Sequence, residues 1–159
     1  MKIEGRMKSL YYVAVTVKAY RRAIDDYCTD PDMYKQNIGA YMDELAKASH
    51  RPFTTGFYEG GAGQRTLHYE SASYIRSTEF IGLVLGYDAT SQTALIEQRN
   101  KFEIGDTVEF VTPGGGGFTQ VITDMTDETG APVTAAPHPQ QKLKVKVDKS
   151  VKYFDLMRK

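Results

Sequence analysis

The sequence lacks features that mark several functional classes. Its 159 residues include a single cysteine, Cys28, and no tryptophan, and the formal net charge is zero. One thiol makes neither an internal disulfide nor a multi-cysteine metal site, which is typical of a reducing compartment. A neutral chain has no global field that recruits nucleic acid or an anionic membrane, so such a partner must bind a local patch.

Long apolar segments are also absent from the sequence. No stretch approaches the roughly 20 apolar residues of a membrane-spanning helix. The first residues, MKIEGRMKSL, lack the apolar run of a secretory signal. Hydrophobic residues make up 41% of the chain, which is enough for a folded core. We therefore expect a soluble, cytoplasmic protein without a membrane partner.

Two helices are predicted near the start of the chain. Within residues 9–28, apolar side chains recur at spacings of three and four, and Ser9 can act as the N-cap. Asp30 and Pro31 supply a capping carboxylate and a first-turn proline for a second helix. The stripe of the first helix comprises Leu10, Val13, Val17, Tyr20, Ile24 and Tyr27.

The pattern changes to that of short β-strands at about Ser77. Runs of β-branched and alternating residues follow one another at short intervals, separated by turn sequences such as Gly86–Thr90 and Asp127–Ala131. This sequence pattern predicts a small antiparallel β-barrel of about five or six strands. With the two preceding helices, the fold class is α+β.

Catalytic and metal-binding motifs are not evident in the sequence. The glycine loop, residues 112–117, lacks the Gly-Lys-Ser/Thr ending of a phosphate loop and is interpreted as a hairpin loop. The histidines are too far apart in sequence to give a close pair of zinc ligands: His50, His68 and His138. Two carboxylate pairs are interpreted as solvated charge: Asp25 with Asp26, and Asp127 with Glu128.

The last predicted strand carries a candidate binding face. Period-two alternation places three lysines on one face and three aliphatic residues on the other: Lys142, Lys144 and Lys146 against Leu143, Val145 and Val147. The tail beyond is locally basic, with Lys149, Lys152, Arg158 and Lys159. The lysines either protect an exposed edge strand or contact nucleic-acid phosphates. Three phosphate contacts on a single strand make the logarithm of the binding constant fall with the logarithm of salt concentration with a slope of about −2, which we call the salt slope.

Residues 2–6, Lys-Ile-Glu-Gly-Arg, have two interpretations from the residues alone. Ile-Glu-Gly-Arg is the cleavage sequence of a protease used to remove expression tags. The segment also leads directly into the first predicted helix, as native sequence would.

Four segments resemble one family, the collagenase-like peptidases of family U32. They are KIEGRMKSLYYVAVTVKAYRRAIDDY, SHRPFTTGFYEG, EQRNKFEIGDTVEF and HPQQ, and they cover nearly the whole chain in order. In that family a Lys-Ile-Glu-Gly-Arg segment closes a TIM-like catalytic barrel, and a helical segment and a small β-barrel follow. The resemblance therefore implies that residues 2–6 are native.

The resemblance also implies a division of the chain and its chemistry. Glu4 and Arg6 are the catalytic candidates, and only within a full-length parent whose catalytic barrel this chain lacks. The family is labelled peptidase, and some members are similar to tRNA uridine hydroxylation proteins with an iron–sulfur cluster in the catalytic domain. The implied parts are a strand remnant (1–6), a helical segment (7–50), a connector (51–76) and a β-barrel domain (77–159).

The function implied is that of a C-terminal accessory, substrate-recognition domain that is non-catalytic alone and has no cofactor of its own. Its partners would be the parent's catalytic barrel and either tRNA or a protein substrate. Substrate would bind through Lys142, Lys144 and Lys146. A peptide-binding module and a structural cap of the catalytic barrel are the alternatives.

Overall fold

The computed structural model describes residues 2–48, 53, 78–115 and 117–159. The chain divides into two compact units, residues 1–78 and 79–159. The described part of the first unit contains two helices, and that of the second contains nine strands, which confirms the predicted α+β class with more strands than expected. The predicted connector lies outside the described residues except for Phe53.

The two helices begin at the predicted capping residues. Helix α1 spans Leu10–Thr29 and helix α2 spans Pro31–Ala46. The Ser9 side chain accepts a hydrogen bond from a first-turn amide of α1 at 3.2 Å. The Asp30 carboxylate accepts the Asp32 amide of α2 at 2.9 Å, so one residue separates and caps the helices.

The helices do not bury the predicted stripe. The buried apolar residues are instead Tyr11, Val15 and Ala19 of α1 and Tyr41 of α2. The six residues of the predicted stripe are 37–57% exposed, and we call them the open face of α1. Helix α1 therefore carries apolar side chains on two faces, and periodicity alone did not show which of them packs within the unit.

A carboxylate joins the two helices. Tyr41 Oη donates a hydrogen bond to Asp26 Oδ2, and Asn37 Nδ2 donates to the same oxygen at 3.0 Å. These hydrogen bonds, that of Tyr41 foremost, hold the pKa of Asp26 below its ordinary value. The interpretation of Asp26 as merely solvated charge is therefore wrong, whereas its neighbour Asp25 is exposed.

Seven of the strands in the described chain form one curled antiparallel sheet, in the order β5-β4-β9-β1-β2-β8-β6. Strands β3 and β7 form a separate pair. The edge strands β5 and β6 are separated only by residues 122–124, so the sheet curls into a partly open barrel. The strands are β1 Phe80–Asp88, β2 Thr93–Gln98, β3 Phe102–Glu103, β4 Thr107–Val111, β5 Phe118–Val121, β6 Met125–Asp127, β7 Ala135–Ala136, β8 Lys142–Lys146 and β9 Leu156–Arg158.

The barrel core follows from alternation along the strands. Ala94 and Ile96 of β2 point inward, as do Leu143 and Val145 of β8, and all four are fully buried. Phe110 stacks on Phe118 across the β4–β5 hairpin, with ring centroids 5.0 Å apart. The predicted division of β8 into a lysine face and a core face is confirmed.

Gly82 is expected to be essential to this core. A Cβ atom on Gly82 would lie 2.6 Å from Ile96 Cγ2 and 3.1 Å from Met157 Cε, whereas one on Gly86 of the same strand meets nothing within 4 Å. Gly82→Ala should therefore lower the free energy of unfolding by about 1–3 kcal/mol through overpacking. Gly86→Ala should change it by less than about 1 kcal/mol. Urea denaturation measures both, and equal losses would contradict this packing.

Asp26 should make the helical unit sensitive to acid. Because its folded-state pKa is depressed, the carboxylate contributes stability that is fully present above its unfolded-state pKa, about 3.9. That stability is lost as the pH falls through the lower folded-state pKa. We expect Asp26→Asn to lower helix stability at neutral pH and to flatten its decline below about pH 4.

Thermal unfolding followed by far-ultraviolet circular dichroism between pH 6 and pH 2 measures this effect. Asp25→Asn, which changes an exposed carboxylate one residue away, is the matched control. An acid dependence in Asp26→Asn as steep as that of the unsubstituted chain would show that the hydrogen bonds from Tyr41 and Asn37 do not stabilise the folded helices.

Candidate functional site

Lys142, Lys144 and Lys146, the lysine row, are exposed on the outer face of the barrel. Strand β8 pairs with β2 on one side and with β6 on the other, so it is an internal strand. The interpretation of these lysines as protection of an edge strand is therefore wrong, because the edges are β5 and β6. Alternation reveals which side chains share a face, but it does not reveal the order of strands in a sheet.

The three lysines differ in how firmly they are held. Lys146 Nζ donates to the Ser91 carbonyl oxygen at 2.8 Å. Lys142 Nζ lies 4.0 Å from the Glu128 carboxylate, an exposed pair of little energetic value. The ammonium group of Lys144 makes no hydrogen bond or ion pair with any residue that the structure describes. Its ammonium group is therefore the one in the row that a ligand can engage without displacing a partner.

A depression of about 550 Å³ lies beside the lysine row. Lys144 and Lys146 line it together with Asp88 and Asp124, so positive charge does not dominate the depression. The pKa of Asp88 is held below its ordinary value, chiefly by the Ser91 hydroxyl, which donates to Asp88 Oδ2 at 2.7 Å. Asp88 is thus an ionised turn residue, and a polyanion here would meet carboxylates as well as lysines.

Two cations of the basic tail are occupied within the fold. Arg158 is only 1% exposed, and its Nε and Nη2 donate to the two carboxylate oxygens of Glu109 at 2.9 and 2.8 Å. Lys159 Nζ donates to Asp106 Oδ2 at 2.8 Å. The tail is therefore less basic toward solvent than its sequence indicates, and its other two cations, Lys149 and Lys152, are exposed.

A surface that alternation and periodicity do not reveal follows β8. Tyr153 and Phe154 are 61% and 56% exposed, with ring centroids 4.1 Å apart. They lie in a tight turn, residues 152–155, which we call the aromatic turn. The signal in the sequence was a pair of adjacent aromatic residues after a lysine, with no apolar periodicity to assign them to the core.

Glu4 and Arg6 are exposed in the segment that precedes α1. The Arg6 amide donates to Glu4 Oε1 at 3.4 Å, and Lys2 Nζ lies 3.7 Å from Glu4 Oε2. Residues 2–5 form no strand in this structure. The catalytic role of Glu4 and Arg6 concerns a longer protein and stays a prediction.

Metal and cofactor ligands are sparse in the described residues. No group of three His, Cys, Asp or Glu side chains there could hold a metal ion. Cys28 is exposed on α1 and is the only cysteine of the chain, so these residues do not supply the thiolates of an iron–sulfur cluster. Of the helices described, none is long and apolar enough to cross a membrane.

Family models match both parts of the chain. The model described as the peptidase family U32 C-terminal domain matches residues 76–158. The model described as peptidase family U32 matches residues 1–68. The boundary between the two matches falls near the boundary between the two structural units.

Curated relatives carry two kinds of name. The chain is 41% identical over 159 residues to tRNA hydroxylation protein P1 of Bacillus subtilis, covering 100% of this chain and 37% of the relative. It is 32% identical to tRNA hydroxylation protein P of Escherichia coli, covering 86% and 29%. It is 27% identical to a collagenase of Porphyromonas gingivalis, covering 80% and 35%. The chain thus spans well under half the length of these relatives.

A solved structure matches the β-unit. It is the C-terminal domain of a Geobacillus thermoleovorans protein described as a U32 peptidase, with 48% identity and a TM-score of 0.50. The match covers 51% of this chain and 99% of that domain. With a matching family model over more than half of its length, the chain belongs to peptidase family U32.

Proposed function

We propose that this chain is the C-terminal accessory part of a longer tRNA hydroxylation protein, in which it recognises tRNA and performs no catalysis alone. The observation that carries the proposal is the 41% identity to the Bacillus subtilis tRNA hydroxylation protein, which extends over all 159 residues. The structure supports a recognition role, because the described residues of the barrel offer exposed cations and exposed aromatic rings.

The helical unit is proposed to dock on the catalytic part of that longer protein. The open face of α1 presents six apolar side chains at spacings of three and four residues, each at least 37% exposed. An apolar surface of this kind marks an interaction site. The chain covers only 37% of the Bacillus subtilis protein, so a longer protein of this kind contains further residues on which the open face could pack.

The β-unit is proposed to contact tRNA through the lysine row. Three phosphate contacts account for a salt slope of only about −2, which suits an auxiliary contact added to binding by the rest of the protein. The carboxylates of Asp88 and Asp124 keep this contact weak. Lys144, whose ammonium has no competing partner among the described residues, should carry the largest share.

A second candidate function is recognition of a protein substrate. The 27% identity to the Porphyromonas gingivalis collagenase supports it. The lower identity makes this candidate the weaker of the two. It differs from the first in its ligand, so binding to gelatin and binding to tRNA separate the two directly.

Replacing the lysine row with glutamine tests the proposal. The triple variant Lys142→Gln, Lys144→Gln and Lys146→Gln should bind tRNA more weakly and lose about two units of salt slope, because three phosphate contacts are removed. Folding should be unaffected, since exposed substitutions usually change stability by less than about 0.5 kcal/mol. Filter binding of the full chain at several salt concentrations measures both affinity and slope.

The matched control removes three exposed lysines elsewhere, Lys2, Lys35 and Lys101, and changes the net charge equally. It should leave the slope nearly unchanged. Equal losses of tRNA affinity and salt slope in the two variants would show that the lysine row contributes only nonspecific charge. Gelatin binding without tRNA binding would favour the second candidate, and gelatin hydrolysis by the chain alone would refute the assignment as non-catalytic.

A further inference from the structure

We propose that the aromatic turn is a stacking platform for an unpaired nucleotide of the tRNA. The proposal rests on the proposed function for its RNA partner. It adds a second contact, chemically distinct from the lysine row, that reads a flat base and not a phosphate.

The aromatic turn is rigidly built. The carboxylate of Asp155, a residue only 1% exposed, accepts the Lys152 amide at 2.8 Å, and the Asp155 amide donates to the Lys152 carbonyl at 3.0 Å. The turn is also fastened to β1, because the Phe154 amide donates to the Val84 carbonyl oxygen and the Val84 amide donates to that of Asp155, each at 2.9 Å. These bonds fix the backbone from which the two rings project.

The backbone of the turn is strained at Phe154. Phe154 has φ +70°, a left-handed conformation that a bulky side chain rarely adopts. Such strain persists only where the surrounding structure imposes it, and it concentrates at functional sites. Burial does not explain the two rings, because more than half of each is exposed to solvent.

The chemistry around the rings favours RNA over an apolar protein surface. Every base has a flat π-face that stacks on aromatic side chains, without preference for sequence. The exposed charges of residues 148–154 are two lysines, Lys149 and Lys152, and one carboxylate, Asp148. Lys149 Nζ lies 5.7 Å from the centre of the Phe118 ring, so it is oriented by that ring. A nucleotide that stacks on the rings also carries a phosphate that the lysines flanking them in sequence can attract, whereas an apolar surface would bury those lysines at a cost.

The test compares an RNA hairpin that has an unpaired loop with a fully paired RNA duplex. The double variant Tyr153→Leu and Phe154→Leu keeps apolar bulk but removes the π-faces. It should bind the hairpin about tenfold more weakly, the loss expected for one stacked base. Its salt slope should not change, because stacking releases no counterions. Duplex affinity should not change either. Tyr12→Leu, at a half-buried tyrosine of α1 outside the open face, is the control.

A second variant separates a loss of RNA affinity from a loss of stability. Phe154→Gly removes the ring together with the strain of the left-handed backbone, so the two effects on stability oppose each other. The midpoint of thermal unfolding should stay within about 5 °C, while hairpin affinity falls as in the leucine variant. A purely structural turn would not lose RNA affinity at unchanged stability.

The outcomes separate the two proposals. If the unsubstituted chain binds neither RNA, the proposed function fails and the platform fails with it. If it binds RNA but the Tyr153 and Phe154 variants bind the hairpin equally well, the platform alone is overturned. If these variants instead lose association with the rest of the longer protein, the turn is a protein contact and the platform is likewise overturned.

Discussion

One buried side-chain amide bridges β5 and the end of β8, where the described sheet has no backbone pairing. Gln120 of β5 is 6% exposed; its Nε2 donates to the Lys146 carbonyl at 2.8 Å, and its Oε1 accepts the Asp148 amide at 2.9 Å. A single side chain thus takes the place of ladder hydrogen bonds between β5 and the end of β8. The same amide fixes the chain as it leaves the lysine row for the aromatic turn, so it positions both candidate surfaces.

Under the proposed function, a neutral chain would bind RNA by combining weak contacts on one β-unit. Three cations of the β-unit are paired with carboxylates: Arg158 with Glu109, Lys159 with Asp106 and Lys101 with Glu103. The remaining cations give only a small positive surface, and the exposed aromatic rings add a contact that does not depend on charge. Contacts that are weak alone gain strength when the longer protein holds the same tRNA, because the second binding event becomes intramolecular.

Local chemistry in the sequence predicted local structure well. The caps at Ser9 and Asp30 and the alternation of β8 follow from short-range rules that sequence displays directly. Strand order does not follow from such rules, so the sequence does not show that β8 is an internal strand. The strands β3, β7 and β9 are two or three residues long and show no periodicity. The aromatic turn depends on Asp155 and on Val84, which is far away in the sequence, so its geometry could not be read from the residues.

The most direct test of tRNA recognition by the β-unit is a titration of the isotopically labelled chain with tRNA, followed by backbone amide chemical shifts. The size of the chain, 17.8 kDa, suits this measurement. The account predicts that the shifts concentrate in residues 142–154, which contain the lysine row and most of the aromatic turn. Shifts confined to the open face of α1, or no shifts at all, would contradict it.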